Sequence, residues 1–378
     1  MRIGVIGGGQ LARMLALAAS PLGIRVHALD PAVDACAGDV APLEVAAFDD
    51  LVALHRFADL CNAITFDFEN VSAPALAELA AVRPVRPNPL SLATAQDRAA
   101  EKALFARIDT AVAPFAVIDD AQQMAAAEAS VVFPAILKTR RFGYDGKGQI
   151  SVADAGLLED AYTRLGNAPC VLESRVRFQR ELSLVAVRAL NGDFRCYPLV
   201  ENIHVNGILS VTLAPAEVAP TLAAEAERCA RRVADALDYV GVLAIEFFDV
   251  DGQLVANEMA PRVHNSGHWS IEGAVTSQFE NHIRAVAGLP LGDTAARGVS
   301  CMLNWIGELP DRNRALQVPG LHWHDYGKSA RAGRKVGHAT ITAPDRVMLA
   351  NRLRQAAEYL DRQIQIEPAI ARLSAPVL

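Results

Sequence analysis

The sequence lacks several features that identify whole classes of protein. Its six cysteines are scattered singly, without a CxxC pair, which argues against a zinc site or a disulfide framework and favours reduced thiols. No apolar run approaches the ~18 residues of a membrane span, and glycines at 7–9 with Arg13 interrupt the apolar start, so we expect no signal peptide. A formal net charge of -7 argues against nucleic-acid binding, which normally needs a basic face. These absences predict a soluble, cytoplasmic protein that has neither nucleic acid nor membrane as a partner.

The length and the distribution of turn-forming residues predict three domains. With 378 residues and 52% hydrophobic content, the chain exceeds one ordinary core. Residues 2–82 alternate β-rich runs with Ala- and Leu-rich helical patterns, which predicts βαβ units and a parallel sheet. The proline-rich segment 83–89 and the Gly-Pro segment 288–293 interrupt these patterns. We therefore predict domains at 1–90, 91–292 and 293–378, of which the middle one is a mixed α+β domain.

A glycine-rich turn follows the first apolar run. Gly7, Gly9 and Ala12 fit the pattern GxGxxA, and Asp30 ends the second predicted strand, where a ribose-binding acid would stand. Taken alone, this pattern favours an NAD-dependent oxidoreductase.

A second glycine-rich segment, residues 136–149, leads from a predicted strand into a loop with three glycines and four cations. Backbone amides freed by glycine, together with Lys and Arg, suit a polyphosphate. The P-loop pattern GxxxxGK[ST] is absent. A solvated hairpin remains the alternative, and in either case we expect residues 143–149 to be mobile without a ligand.

Two acids, Glu246 and Glu258, lie in apolar strand patterns on either side of a predicted turn at Asp251-Gly252. Buried acids are costly unless they are paired or bind a metal, and Mg2+ takes carboxylates together with phosphate oxygens. A regular two-residue turn would place Asn257, rather than Glu258, opposite Glu246. A shared metal site therefore predicts a bulge or a three-residue turn, whereas a structural ion pair is the alternative.

Two further segments are rich in hydrogen-bond donors and cations. Residues 259–269 leave a predicted strand end, as substrate loops often do, although the same residue types form ordinary turns. A zinc site there is disfavoured, because no third ligand lies at helical spacing. Residues 325–335 contain four cations in an acidic protein, which indicates a phosphate site or a solvated charged turn.

Together these segments resemble one family, the N5-carboxyaminoimidazole ribonucleotide synthetases of the ATP-grasp enzymes. The resemblance covers nearly the whole chain and rests, in order, on GGGQLARM, FDFEN, QDRAAEK, KTRRFGYDGKGQ, NEMAPRVHNSGHW and YGKSARAGRKVGH. It implies an ATP-grasp fold, of α/β and α+β class, with a Rossmann-like N-terminal domain and a small C-terminal domain. It further implies a homodimeric ligase of purine biosynthesis that joins aminoimidazole ribonucleotide to bicarbonate, using ATP with Mg2+ or Mn2+. Ala12 and Asp67 depart from the family pattern, where Gly and Glu are common.

The resemblance also implies roles for individual residues. The implied nucleotide contacts are Arg98, Lys138, Gly143, Tyr144, Asp145, Gly146, Lys147, Gly148, Gln149, Glu173, Ser174, Arg175, Val176, Glu181, His204, Asn257 and Glu258. The implied substrate contacts are Gln10, Leu11, Glu69, Asn70, His264, Asn265, Ser266, His268, Lys328, Arg334 and Lys335. The implied metal ligands are Glu246 and Glu258, and the implied catalytic residues are Arg262, Lys328 and Tyr144.

Three other functions remain open at this point. A related ATP-grasp ligase could use formate or glycine, and substrate competition would distinguish it. An NAD-dependent oxidoreductase would explain only the first glycine-rich turn. A non-catalytic nucleotide sensor would have lost a metal ligand or the C-terminal cations, and this sequence retains both.

Overall fold

The computed structural model describes residues 1–143 and 147–375 of the chain, and it begins with a four-stranded parallel sheet. The strands are β1 (Arg2–Ile6), β2 (Arg25–Asp30), β3 (Leu43–Val45) and β4 (Ala63–Phe66), in the spatial order β3-β2-β1-β4. The helices are α1 (Gln10–Ala19), α2 (Leu51–Asp59) and α3 (Ala73–Ala80). Asp50 and Ser72 cap α2 and α3, because their side chains accept hydrogen bonds from first-turn amides that have no partner inside the helix. The predicted βαβ organisation is confirmed.

A small antiparallel sheet and four helices follow. The helices are α4 (Pro89–Gln96), α5 (Arg98–Arg107), α6 (Met124–Ser130) and α7 (Leu158–Arg164). The strands are β5 (Phe115–Ile118), β6 (Ala135–Thr139), β7 (Gln149–Val152) and β8 (Cys170–Ser174), in the order β5-β8-β6-β7. Asp97 caps α5 by accepting a hydrogen bond from the amide of Ala99. This cap fixes the first turn of α5, which carries Arg98.

The largest sheet has nine strands and is antiparallel at every pairing. Its strands are β9 (Arg180–Arg188), β10 (Phe194–Cys196), β11 (Val200–Val205), β12 (Ile208–Ala214), β13 (Gly241–Val250), β14 (Gln253–Ala260), β15 (Val299–Ile306), β16 (Leu321–Asp325) and β17 (Lys335–Ala343). The spatial order is β14-β13-β9-β11-β12-β15-β17-β16, and β10 pairs with β9. The helices are α8 (Pro220–Ala236), α9 (Ser270–Gly273), α10 (Gln278–Ala287), α11 (Arg312–Ala315), α12 (Arg346–Leu360) and α13 (Gln363–Ser374). Of the helices in the described ranges, none combines the length and the apolar character that a membrane crossing needs.

The N-terminal sheet packs on α10 through a shared hydrophobic core. Leu15 of α1 and Phe279 and Ile283 of α10 are almost completely buried in this core. A hydrogen bond of 2.8 Å joins the hydroxyl of Thr65 on β4 to Nε2 of His282 on α10. Apolar burial of this kind is the main favourable term in such a contact, so it holds the N-terminal sheet against the large sheet.

The C-terminal strands extend the large sheet instead of forming a sheet of their own. β15 pairs with β12, with Leu303 opposite Val211, and both side chains belong to the core beneath α12. The segment between α10 and β15 is also tied down, because the amide of Gly292 donates to Oδ1 of Asn281 at 2.7 Å. The sequence patterns did not reveal this continuity, and the domain boundaries at 90 and 292 stay predictions.

Candidate functional site

The β13–β14 hairpin places two carboxylates opposite each other. Its turn is a two-residue one, since Val250 pairs with Gln253, and Asp251 and Gly252 both adopt positive φ values, 51° and 78°. The register then shifts, so that Phe247 pairs with Ala256 but Glu246 pairs with Glu258. Asn257 is therefore the extra residue of a β-bulge. The predicted irregularity is confirmed, in the form of a bulge.

This carboxylate pair is flanked by a guanidinium on one side and an imidazole on the other. Arg98 Nη1 lies 3.3 Å from Glu258 Oε2, and His264 Nε2 lies 3.7 Å from Glu246 Oε1. Burial, together with the negative charge of Glu258, raises the pKa of Glu246. Two facing carboxylates thus repel each other in a partly buried place, and a bound cation would relieve that repulsion.

The donor set fits Mg2+ better than a transition metal. Within residues 1–143 and 147–375, no group of three or more His, Cys, Asp or Glu side chains is arranged to hold a metal by itself. Mg2+ commonly uses one or two carboxylates and takes its other ligands from water and substrate phosphates. The oxygen pair of Glu246 and Glu258 matches that requirement.

A buried group of charges lies on β6, β8 and α5. The ammonium groups of Lys138 and Lys102 lie 3.0 and 3.2 Å from the same atom, Oε2 of Glu173. The other oxygen, Oε1, is buried and has no hydrogen-bond partner among the described residues. An unpaired buried acceptor is costly, so Glu173 Oε1 is available to a ligand that donates a hydrogen bond.

The hinge after β8 borders a cavity of about 500 Å³. Pro134, Arg175, Val176, Arg177 and Phe178 line this cavity. The chain there is held by backbone contacts, since the amide of Arg175 donates to the carbonyl of Pro134 at 2.9 Å. The Ser174 hydroxyl accepts a hydrogen bond from the amide of Val132 at 2.8 Å, which anchors this end of the hinge.

Glu181 on β9 and His204 on β11 form a hydrogen-bonded pair at Oε2 and Nδ1. Burial acts to lower the pKa of His204, but the hydrogen bond to Glu181 and the nearby charge of Glu246 outweigh it, so the pKa is raised. The register shifts between Ile203 and His204, which pair with Val211 and Leu209, so Ser210 of β12 is the extra residue of a bulge opposite the imidazole-bearing residue. The predicted ribose ligand and the predicted nucleotide contact therefore lie side by side, next to the carboxylate pair.

The glycine-rich loop 143–149 is described only at its two ends. Tyr144, Asp145 and Gly146, the central part of the predicted mobile segment, lie outside the described residues. Gly148 has φ of 69°, and a Cβ there would lie 2.7 Å from Oγ1 of Thr139. Gln149 pairs with Lys138 of β6, and the amide of Thr139 donates to the carbonyl of Gly148 at 2.8 Å. A Cβ at Gly143 would lie 3.2 Å from the carbonyl oxygen of Lys147, so the two described ends of the loop lie close together.

The first glycine-rich turn is filled by carboxylates of the protein itself. The amide of Gly8 donates to Asp30 Oδ2 at 2.8 Å, and the amides of Gly9 and Ala12 donate to Asp67 Oδ2 at 2.9 and 3.1 Å. A Cβ at Gly7, whose φ is 106°, would overlap the Asp67 carboxylate. The donors that a dinucleotide pyrophosphate needs are already used, so the fingerprint gives the NAD hypothesis no support.

The predicted substrate loop faces this turn. Arg262 Nη2 lies 2.9 Å from Glu69 Oε1, and Nε of Arg262 is buried without a partner among the described residues. His264 receives a hydrogen bond at Nδ1 from the amide of Ser266, which leaves the proton on Nε2. Burial lowers the pKa of His264 well below its usual value, so the ring is neutral. The amide of Asn265 is likewise buried, with neither its oxygen nor its nitrogen bonded within the described part of the chain.

Gln278 holds this loop in place. Its oxygen accepts from the amide of His264 at 2.9 Å, and its nitrogen donates to the carbonyl of His264 at 2.6 Å. The same nitrogen lies 3.2 Å from Nδ1 of His268, whose ring packs 5.0 Å from that of His338. His268 is thus part of the support behind the loop.

The C-terminal cations reach the same region. The ammonium of Lys328 donates to Oε1 of Gln10 at the start of α1, and burial lowers the pKa of this lysine. Arg334 Nη1 donates to the hydroxyl of Ser329 at 2.8 Å. Lys335 acts electrostatically on Glu246 and His264. The structure therefore brings Lys328 to the start of α1 and Lys335 to the substrate loop, although their segment is more than 300 residues from Gln10, whereas Arg334 bonds within its own segment.

Two of the predicted substrate contacts, Leu11 and Asn70, have side chains that are less well placed to bind a ligand. The Leu11 side chain is 7% exposed and belongs to the hydrophobic core, so only its backbone can meet a ligand. Asn70 is half-buried, and no contact of its side chain distinguishes it within the described ranges.

Sequence reasoning missed Lys102, Asp67 and Gln278 as parts of the site. Lys102 lies one helical turn after Arg98, within the segment QDRAAEK that carried the resemblance. That spacing could have shown that the two cations share a face of α5. Asp67 was noticed only as a departure from a pattern, and no local signal marks Gln278.

Comparison with known proteins accounts for all three parts of the chain. The models that match are the ribonucleotide synthetase preATP-grasp domain at residues 1–96, the ATP-grasp domain at 103–279 and the phosphoribosylaminoimidazole carboxylase C-terminal domain at 300–352. N5-carboxyaminoimidazole ribonucleotide synthase of Pseudomonas aeruginosa is 50% identical over 361 residues, 96% of this chain and 100% of that protein.

Solved structures agree with this result. The N5-carboxyaminoimidazole ribonucleotide synthetase of Thermus thermophilus has a TM-score of 0.92 and 48% identity, covering 95% of this chain and 99% of that one. The Aspergillus clavatus synthase, solved with ADP and 5-aminoimidazole ribonucleotide, has a TM-score of 0.87 and 30% identity, covering 96% of this chain and 98% of that one. The chain belongs to the N5-carboxyaminoimidazole ribonucleotide synthase family of ATP-grasp enzymes.

Proposed function

We propose that this chain is an ATP-dependent ligase that converts 5-aminoimidazole ribonucleotide to N5-carboxyaminoimidazole ribonucleotide, with bicarbonate as the source of the carboxyl group. The observation that best supports this proposal is the position of the two carboxylates between the two predicted substrate regions. The carboxylate pair Glu246–Glu258 is flanked by Arg98 on the side of the predicted nucleotide contacts and by His264 on the side of the substrate loop. A phosphoryl group held at the pair would therefore face both substrates.

The chemistry explains the need for ATP. Bicarbonate is a poor electrophile, so one of its oxygens first attacks the γ-phosphorus of ATP, and ADP leaves. The resulting carboxyphosphate has a good leaving group. The exocyclic amine of the ribonucleotide attacks the carboxyl carbon, phosphate departs, and the amine loses a proton. The protein contributes mainly positioning and charge neutralisation in such a reaction.

The nucleotide side of the site is assigned as follows. Arg98 and Lys138 bind the phosphates, and Glu173 Oε1, which lacks a partner among the described residues, accepts a hydrogen bond from the base. Glu181 and His204 hold the ribose. Glu246 and Glu258 hold Mg2+, which when bound supplies positive charge next to the transferred phosphoryl group.

The acceptor side uses the other cluster. Lys328, Arg334 and Lys335 bind the 5′-phosphate of the ribonucleotide, where Lys328 already contacts Gln10. Arg262 lies beside Glu69, and the neutral His264 offers Nε2–H toward the pair. These groups orient the amine toward the carboxyl carbon, and the loop at residues 143–149 excludes water when it closes.

The oligomeric state and the cellular compartment stay predictions. We propose a homodimer, to be measured by sedimentation equilibrium. We also propose a reducing compartment such as the cytoplasm, because all six cysteines are free.

The test is phosphate release from ATP with bicarbonate, with and without 5-aminoimidazole ribonucleotide. We expect release that requires Mg2+ and is strongly stimulated by the ribonucleotide. Formate and glycine, offered with their own acceptor nucleotides, serve as controls for the related ligases. Turnover with either of them, and none with bicarbonate and the ribonucleotide, would refute the proposal.

A further inference from the structure

The chain contains five lysines, and the resemblance implies ligand contacts for four of them, Lys138, Lys147, Lys328 and Lys335. The fifth, Lys102 on α5, has a side chain that is only 1% exposed. Its ammonium lies 3.2 Å from Glu173 Oε2 and 5.8 Å from the centre of the Phe115 ring. A lysine this deeply buried requires a partner, and here the partner is shared with another lysine.

Within the trio of Lys102, Lys138 and Glu173, this sharing leaves one positive charge in excess. Lys102 and Lys138 contribute two ammonium groups, and Glu173 contributes one carboxylate. Arg98 adds a further charge that acts on Lys138, although its guanidinium pairs with Glu258. An excess of buried positive charge is favourable only when an anion arrives, so the group is arranged for an anionic ligand.

We infer that Lys102 is a positioning residue of the nucleotide site, which acts by sharing Glu173 Oε2 with Lys138. Because of this sharing, Glu173 does not capture Lys138 completely, and the Lys138 ammonium keeps donors for a phosphate. The second oxygen of Glu173 stays free for a donor on the base. This inference rests on the proposed function, since it assumes that the ligand is a purine nucleotide.

Loss of Lys102 changes the charge of the group. Without it, Glu173 and Lys138 form a neutral pair, and the phosphates of a nucleotide lose one compensating charge. A lysine with a merely structural role would instead lower stability and leave the affinity of the folded protein for nucleotides unchanged. The affinity for ADP separates the two cases without any need for turnover.

The experiment compares Lys102→Met with Arg107→Met, which removes a charge from the exposed end of the same helix. ADP binding is measured by isothermal titration calorimetry, after thermal melting has established that each variant is folded. We expect Lys102→Met to weaken ADP binding about tenfold, because Glu173 then captures Lys138 and the phosphates lose one compensating charge. The KM for ATP should rise by about the same factor, whereas the KM for the ribonucleotide should stay within about twofold. Arg107→Met should bind ADP as the wild type does.

A second substitution tests whether Lys102 acts through Glu173. Glu173→Gln keeps an acceptor oxygen but removes the charge that captures Lys138. The double variant Lys102→Met with Glu173→Gln should therefore bind ADP at least about threefold more tightly than Lys102→Met alone, because coupled sites are not additive. If Lys102→Met does not fold, Lys102→Gln replaces it and is judged by the same criteria.

Two results would overturn the inference. One is ADP binding by a folded Lys102 variant within about twofold of the wild type. The other is a double variant that binds ADP no more tightly than the single one. ADP binding needs no catalysis, so both of these results can be measured even if the proposed carboxylation is not observed.

Discussion

Glu258 lies directly opposite Glu246 only because Asn257 is inserted as an extra residue in β14. The two-residue turn at the hairpin tip would otherwise place Asn257 opposite Glu246. A bulge disrupts a ladder locally, so its occurrence next to two repelling carboxylates points to a use for the pair.

The first prediction concerns this pair. Glu246→Gln and Glu258→Gln each remove one charged oxygen ligand, so each should raise the Mg2+ concentration for half-maximal phosphate release and lower kcat by about 100-fold or more. The measurement is a magnesium titration at saturating ATP. Asp251→Asn, at the exposed tip of the same hairpin, is the control. An unchanged magnesium requirement in both glutamine variants would contradict the assignment.

The second prediction concerns the C-terminal cations. Replacing Lys328, Arg334 or Lys335 by Ala removes a charged contact to the 5′-phosphate worth ~1.5–3 kcal/mol, so the KM for the ribonucleotide should rise about 10- to 100-fold. The KM for ATP should change much less, which steady-state kinetics with each substrate varied in turn will show. Equal effects on both substrates would place the cluster elsewhere.

The third prediction concerns Asp67. Burial, with help from the charge of Asp30, raises the pKa of Asp67 from 3.8 to about 6, although the amides of Ala12 and Gly9 oppose the shift. Because the folded state holds this proton more tightly than the unfolded state, the stability it contributes is present below about pH 4 and is lost as the pH rises through about 6.

Asp67→Asn keeps a neutral acceptor at every pH and therefore tests this sign. The thermal midpoint of the variant, minus that of the wild type, should increase between about pH 4 and about pH 7. The exposed residue Asp34, changed to Asn, should show no such trend. If the difference in thermal midpoint between Asp67→Asn and the wild type stays constant with pH, the raised pKa of Asp67 is contradicted.

The fourth prediction concerns Gly7. Gly7→Ala places a Cβ on the Asp67 carboxylate and also forces alanine into a positive φ of 106°. Gly23→Ala is a matched control, since φ there is 69° and nothing lies within 4 Å of the added Cβ. The control should cost about 1 kcal/mol of stability, and Gly7→Ala should cost clearly more. Equal losses in chemical denaturation would mean that Asp67 moves aside freely.

Local patterns predicted much of the fold and part of the site. In an antiparallel hairpin, the length of the turn and any bulge decide which residues face each other. The bulge at Asn257 could therefore be predicted from the requirement that Glu246 and Glu258 share a face. By contrast, Lys102 meets Glu173 across 71 positions of sequence, and no periodic pattern encodes such a contact. The pairing of β15 with β12 is equally non-local, and it placed the C-terminal strands in the large sheet.

The glycine-rich turn at residues 7–9, which the carboxylates of Asp30 and Asp67 occupy, likewise could not be interpreted from local sequence alone. The spacing of Gly7, Gly9 and Ala12 is that of a dinucleotide site, and only the fold reveals that Asp67 occupies it. A motif defines which backbone groups are exposed, whereas the neighbouring strand determines what they bind.

The most direct test of the proposed reaction traces the oxygen atoms of bicarbonate into the released phosphate. Bicarbonate labelled with 18O is incubated with ATP, Mg2+, 5-aminoimidazole ribonucleotide and the protein, and the released phosphate is analysed by mass spectrometry. If ATP activates bicarbonate, one labelled oxygen passes into each phosphate while the labelled carboxyl group appears in the product. Product formation with unlabelled phosphate would contradict the account.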